Sequence, residues 1–139
     1  MCQKSNIVGR RGAVAIILRQ DRMLVIRRSQ HVIAPGAYCF PGGGIEADET
    51  EEEAVARELQ EEINCKVQPI RRLWRNVTPW GVHLAWWLAE MGSEQRPVAN
   101  PSEVESLHWL TAEEMAELPE TLESNREFLR LLAMGEIKL

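Results

Sequence analysis

The stretch from Gly43 to Cys65 reads GGIEADETEEEAVARELQEEINC. Thr50 with Glu53 three residues later is the sequence form of a capping box, and Ala54, Val55, Leu59 and Ile63 continue at helical spacing. The pattern predicts a helix from about Glu51 to Ile63, ended by Asn64 as the left-handed residue. On that helix Glu58, Glu61 and Glu62 stand at i, i+3 and i+4, so they share one face spanning roughly 100° beside the stripe of Val55, Leu59 and Ile63. The stripe can pack on a sheet while the carboxylates line its edge. Like charges at this spacing cost a helix a few tenths of a kcal/mol each, so the cluster calls for a cation. The clustered acidic ligands are hard oxygens and no Cys/His set competes with them, which points to Mg²⁺ or Mn²⁺.

Outward from this helix the chain alternates strand-like and helical segments. Upstream, Gly12 to Arg19 reads as a buried strand and Met23 to Arg28 as a second, joined in hairpin fashion across Gln20, Asp21 and Arg22. A loop with Pro35 and Gly36 leads to the short segment Tyr38-Cys39-Phe40, then to Pro41-Gly42-Gly43-Gly44, where the punctuation predicts irregular backbone. Downstream, Lys66 to Arg75, Gly81 to Glu90 and Ser106 to Leu110 read as strands, with alternation placing Trp86 and Trp87 on opposite faces. Thr111 to Leu118 is a helix opened by the box of Thr111 and Glu114, and Leu122 to Met134 a final amphipathic helix. An α/β domain follows.

Length and composition narrow the function. The chain has 139 residues, 45% hydrophobic and 27% charged, as expected of one globular unit. Its longest apolar run, Ala13 to Leu18, is six residues, far short of the about 20 of a membrane-spanning helix. No secretory pattern opens the chain, so a cytoplasmic protein without a membrane partner is expected. Cys2, Cys39 and Cys65 lack metal-site spacing and read as reduced thiols, Cys39 and Cys65 as small buried hydrophobes. His31, His83 and His108 show no ligand spacing and read as structural. Between Glu46 and Glu62 lie nine acids and one base, whereas the rest of the chain has fifteen bases and twelve acids. A concentrated acidic stretch is unsuited to a nucleic-acid duplex and suits a divalent cation with a small anionic ligand.

The same stretch resembles the Nudix box, whose pattern is Gly, five residues, Glu, seven residues, Arg-Glu, an aliphatic, any residue, Glu-Glu, any residue, Gly, an aliphatic. Gly43, Glu49, Arg57, Glu58, Leu59, Glu61 and Glu62 match it. Asn64 stands where the family has Gly, a departure that touches the helix end and no ligand. The resemblance implies a single Nudix domain over residues 1–139 with its box at 43–65, folded as an α/β/α sandwich around a mixed sheet. It implies Glu58, Glu61 and Glu62 as metal ligands, with a backbone oxygen near Gly42 and Gly43. Gly43, Glu49 and Arg57 would be structural, the last two tying loop to helix. The implied reaction is Mg²⁺- or Mn²⁺-dependent hydrolysis of a phosphoanhydride, in which Glu58, Glu61 or a later carboxylate acts on water.

Beyond the box the chain looks like the MutT branch, which cleaves nucleoside triphosphates, typically oxidised purine ones, to the monophosphate and pyrophosphate. By that analogy Arg28, the Phe40 backbone and Asn125 face the base, and Glu103 is the catalytic carboxylate outside the box. A carboxamide at Asn125 offers both a donor and an acceptor to a purine edge. Trp80 is a candidate to stack on the base. Pro79, fourteen residues after Cys65, sits where ADP-ribose-cleaving relatives tend to carry proline. Hydrolysis of ADP-ribose or of dinucleoside polyphosphates, and a catalytically silent nucleotide-binding module, are therefore alternatives. The oligomeric state is left as monomer or homodimer.

Overall fold

A computed structural model describes residues 10–139. Its elements in chain order are β1 (Arg11–Arg19), β2 (Arg22–Arg28), β3 (Tyr38–Cys39), β4 (Gly42–Gly44), α1 (Glu51–Ile63), β5 (Val67–Val77), β6 (His83–Met91), β7 (Val104–Leu110), α2 (Ala112–Ala116) and α3 (Glu123–Ala133). The apolar run of β1 lies at the centre, buried on both faces as a central strand requires. Along one edge it pairs in parallel with β6, Arg11–Ile17 against His83–Ala89, and β5 closes that side antiparallel to β6. Its other edge is shared. Gly12–Val14 pair antiparallel with β4, whereas Leu18 and Arg19 pair with β2 through the hairpin, and β2 carries β3 and β7. Phe40 and Pro41 cross from β3, which lies on the far side of β2, to β4, which pairs with β1.

Two cores result from the alternation of side chains across the sheet. Ala13, Ala15, Ile17 and Trp87 pack with Val55, Leu59 and Ile63 of α1. Val14, Ile16 and Trp86 pack on the opposite face with Phe40, Met115 of α2, and Phe128 and Leu129 of α3. The expected α/β/α sandwich with a mixed sheet is the observed one. Trp86 and Trp87 fall on opposite faces, and Phe128 stacks on Trp86 at 5.0 Å between ring centres.

Helix α1 has the expected limits, with the Thr50/Glu53 box closed in both directions and Asn64 left-handed at φ 57°. Four expectations need correction. Gly42–Gly44 form a short strand rather than irregular backbone, because the absence of side chains lets them lie directly against β1. Helix α2 stops at Ala116 rather than Leu118, and β7 begins two residues earlier than expected. Cys65 is a buried free thiol, as expected, but Cys39 is disulfide-bonded. Among the described residues no helix is long and apolar enough to cross a membrane.

Candidate active site

Arg57 organises the junction of loop and helix. Its Nε–H and one Nη2–H donate to the two oxygens of Glu49 at 2.5 and 2.9 Å, a bidentate pair, and Nη2 also reaches the carbonyl of Gly44 at 2.8 Å. Nη1 donates to Glu58 at 2.9 Å and to Glu61 at 3.2 Å. The bond from Arg57 holds the Glu49 carboxyl below its usual range, and the same bond keeps the guanidinium firmly charged. Loop, strand β4 and helix α1 are thus locked through one side chain.

Glu58 and Glu62 are almost wholly buried, at 1% and 2% exposure, against the glycine strand. Gly42 N–H donates to Glu62 Oε1 at 2.9 Å. A Cβ on Gly43 would lie 2.4 Å from the Glu58 carboxyl, so only glycine admits that carboxylate here. Glu103, half-buried in the segment before β7, completes a set in which one oxygen each of Glu58, Glu62 and Glu103 lies within 4.8 Å of the others. Three carboxylates brought this close repel strongly unless a cation joins them. The all-oxygen donor set and its burial fit a hard divalent ion. Glu61, one turn from Glu58, is 41% exposed and turned to Arg57, outside that closest set.

The remaining candidates divide. Arg28, expected to face the base, is only 3% exposed. Burial lowers its pKa while the charges of Glu62 and Glu103 act to raise it. The Phe40 ring is in the core against Trp86 and Phe128, and its N–H donates to Asn125 Oδ1 at 2.8 Å. That bond fixes the amide orientation of Asn125, which is 1% exposed, and leaves its buried Nδ2 with no hydrogen-bond acceptor. Trp80, 62% exposed, stands on the rim of a cleft of about 590 Å³. Ile33, Trp74, Val77, Leu122 and Ser124 line it with Trp80. Sequence reasoning did not pick out these five, since they come from three segments that only the tertiary fold assembles.

The match to known proteins agrees with this arrangement. The model of the NUDIX domain matches residues 9–132. A MutT-like protein of Streptomyces ambofaciens is 35% identical over 105 residues, 73% of this chain and 64% of that protein. An NAD-capped RNA hydrolase of Chromobacterium violaceum is 33% identical over 109 residues, 77% of this chain and 40% of that protein. The chain thus spans less than two thirds of the length of these two curated relatives. Among solved structures, a MutT protein from Methanosarcina mazei superposes with a TM-score of 0.78 at 21% identity, covering 93% of this chain and 96% of that one. An ADP-ribose pyrophosphatase from Streptococcus suis does so at 0.68 and 20% identity, covering 92% of each. The chain belongs to the Nudix family, and among its relatives are proteins named MutT-like, an NAD-capped RNA hydrolase and an ADP-ribose pyrophosphatase.

Proposed function

We propose that this protein hydrolyses a nucleoside triphosphate, an oxidised purine one included, to the monophosphate and pyrophosphate with the help of Mg²⁺ or Mn²⁺. The observation that carries the reading is the set of buried Glu58 and Glu62, against the glycine strand, with half-buried Glu103. These three, with a backbone oxygen near Gly42, would hold the ion, and Glu61 stands beside them. A divalent ion bound there neutralises charge on phosphoryl oxygens and makes water more acidic. Arg57 orients Glu58 and Glu61 through its two hydrogen bonds. One carboxylate of Glu58, Glu61 and Glu103 takes the proton of the attacking water.

The apolar cleft suits the nucleoside half. Trp80 presents a face for stacking on that cleft. Next to its Ser124 wall, the buried and unsatisfied Nδ2 of Asn125 is a donor suited to a carbonyl on a purine. The substrate is thus a small nucleotide, and the protein works in the cytoplasm without nucleic-acid duplex or membrane. Pro79 beside Trp80 on the same cleft favours ADP-ribose as the second reading.

The test is product release with Mg²⁺ across canonical and oxidised (d)NTPs, ADP-ribose, dinucleoside polyphosphates and NAD. Pyrophosphate from one or a few triphosphates is expected. AMP and ribose 5-phosphate from ADP-ribose, with no triphosphate turned over, would select the second reading. Nucleotide binding without any turnover would identify a silent module instead.

A further inference from the structure

Arg28 ends β2, and the segment that follows is tied back onto it at both levels of the chain. Its N–H donates to the carbonyl of Ala37 at 2.8 Å, and its own carbonyl accepts from Gly36 at 2.9 Å. Its side chain turns inside that closed loop, where Nε–H donates to the carbonyl of Ile33 at 2.6 Å. Ile33 and the left-handed Ala34 are the part of the loop that forms a wall of the cleft. The neighbouring Ser29 holds the segment of Glu103, with its N–H on the Glu103 carbonyl at 3.1 Å and its hydroxyl on the Ser102 carbonyl at 3.0 Å. The charges of Glu62 and Glu103 both act on the guanidinium.

We propose that Arg28 is a positioning residue that braces the Ile33–Ala34 wall of the nucleoside cleft against the carboxylate cluster, rather than a group that touches the nucleotide. The proposal rests on the reading of the cleft as the nucleoside subsite. Guanidinium geometry is what the role needs: the planar group donates to the loop carbonyl from Nε while carrying the charge on which Glu62 and Glu103 act. A lysine ammonium supplies the charge but no fixed second direction. At 3% exposure Arg28 has little surface to offer a ligand.

The experiment measures binding of two ligands in the presence of Mn²⁺, nucleoside monophosphates of different bases and pyrophosphate, to wild type, Arg28→Lys and Ile33→Ser. A monophosphate carries the base; pyrophosphate carries only phosphates. Arg28→Lys is expected to weaken monophosphates roughly ten- to a hundredfold, unequally among bases, and to leave pyrophosphate and Mn²⁺ affinity within about twofold. Ile33→Ser is expected to do the same, which keeps the proposal testable should Arg28→Lys fail to fold. A parallel loss for every monophosphate and for pyrophosphate would make Arg28 a phosphate contact and overturn the proposal. Unchanged monophosphate affinity in either folded variant would overturn it as well. Failure of the underlying reading looks different, since wild type itself would then bind the monophosphates no differently from one base to another.

Discussion

Glu62 is asked to serve two partners, the Gly42 N–H and the cation, and only its charge matters to the second. Glu62→Gln keeps an acceptor for the amide and removes the charge, so folding is expected to survive while turnover falls about 10²-fold or more, by steady-state kinetics. Glu49 tests the structural half of the box. Arg57 holds its carboxyl below the usual range in the folded protein, so its stabilisation is complete above the pKa of the unfolded chain. It is lost as pH falls through the lowered native value. Glu49→Gln is therefore expected to be less stable than wild type in denaturant melts at neutral pH, with the gap closing in acid. Which residues were readable follows from range. Helix-local spacing exposed Glu58, Glu61 and Glu62, and the Nudix resemblance supplied Glu103 and Asn125. Neither reported that Arg28 is buried, because its burial depends on a loop folding back and on Glu103, forty-one residues after Glu62.

Helix α1 is the most legible element, since its start, stripe and end are all written in nearest-neighbour chemistry. Asn64 shows how a departure from the family pattern is tolerated. It adopts the left-handed conformation and its amide donates to the Val98 carbonyl at 2.8 Å. Asn64→Gly relieves the backbone but loses that bond, so thermal unfolding is expected to change stability by no more than about 0.5 kcal/mol. Strand β4 is the least legible, because three glycines read as a break and only the long-range pairing with Gly12–Val14 makes them a strand. Its two close approaches differ in kind. A Cβ at Gly42 would lie 2.1 Å from the Ala13 carbonyl, whereas at Gly43 it would strike the Glu58 carboxyl. Gly42→Ala is expected to lower stability by about 1–3 kcal/mol or more in denaturant melts, since backbone must move. Gly43→Ala is expected to cost metal affinity and turnover in greater proportion than stability.

At the level of the whole protein, folding gathers opposite ends of the chain round one acidic point. Strand β1 divides its edge between β4 and β2, and the crossing at Phe40 and Pro41 brings α1, Arg28 and Asn125 to the same neighbourhood. The sandwich itself could be anticipated from alternating segments, but the cleft of Ile33, Trp74, Val77, Trp80, Leu122 and Ser124 could not, since its lining has no local period. A cluster of buried like charges is a folding cost that a cation relieves. Binding to the native state alone then raises stability by about 2.7 kcal/mol at a hundred times the dissociation constant. The most direct measurement is a single Mn²⁺ titration that records ion binding and pyrophosphate release together, on wild type and Glu62→Gln. Turnover that rises with ion occupancy in wild type, with both lost in the variant, is the predicted result. Undiminished turnover without the ion, or equal activity in Glu62→Gln, would contradict the assignment of catalysis to this cluster.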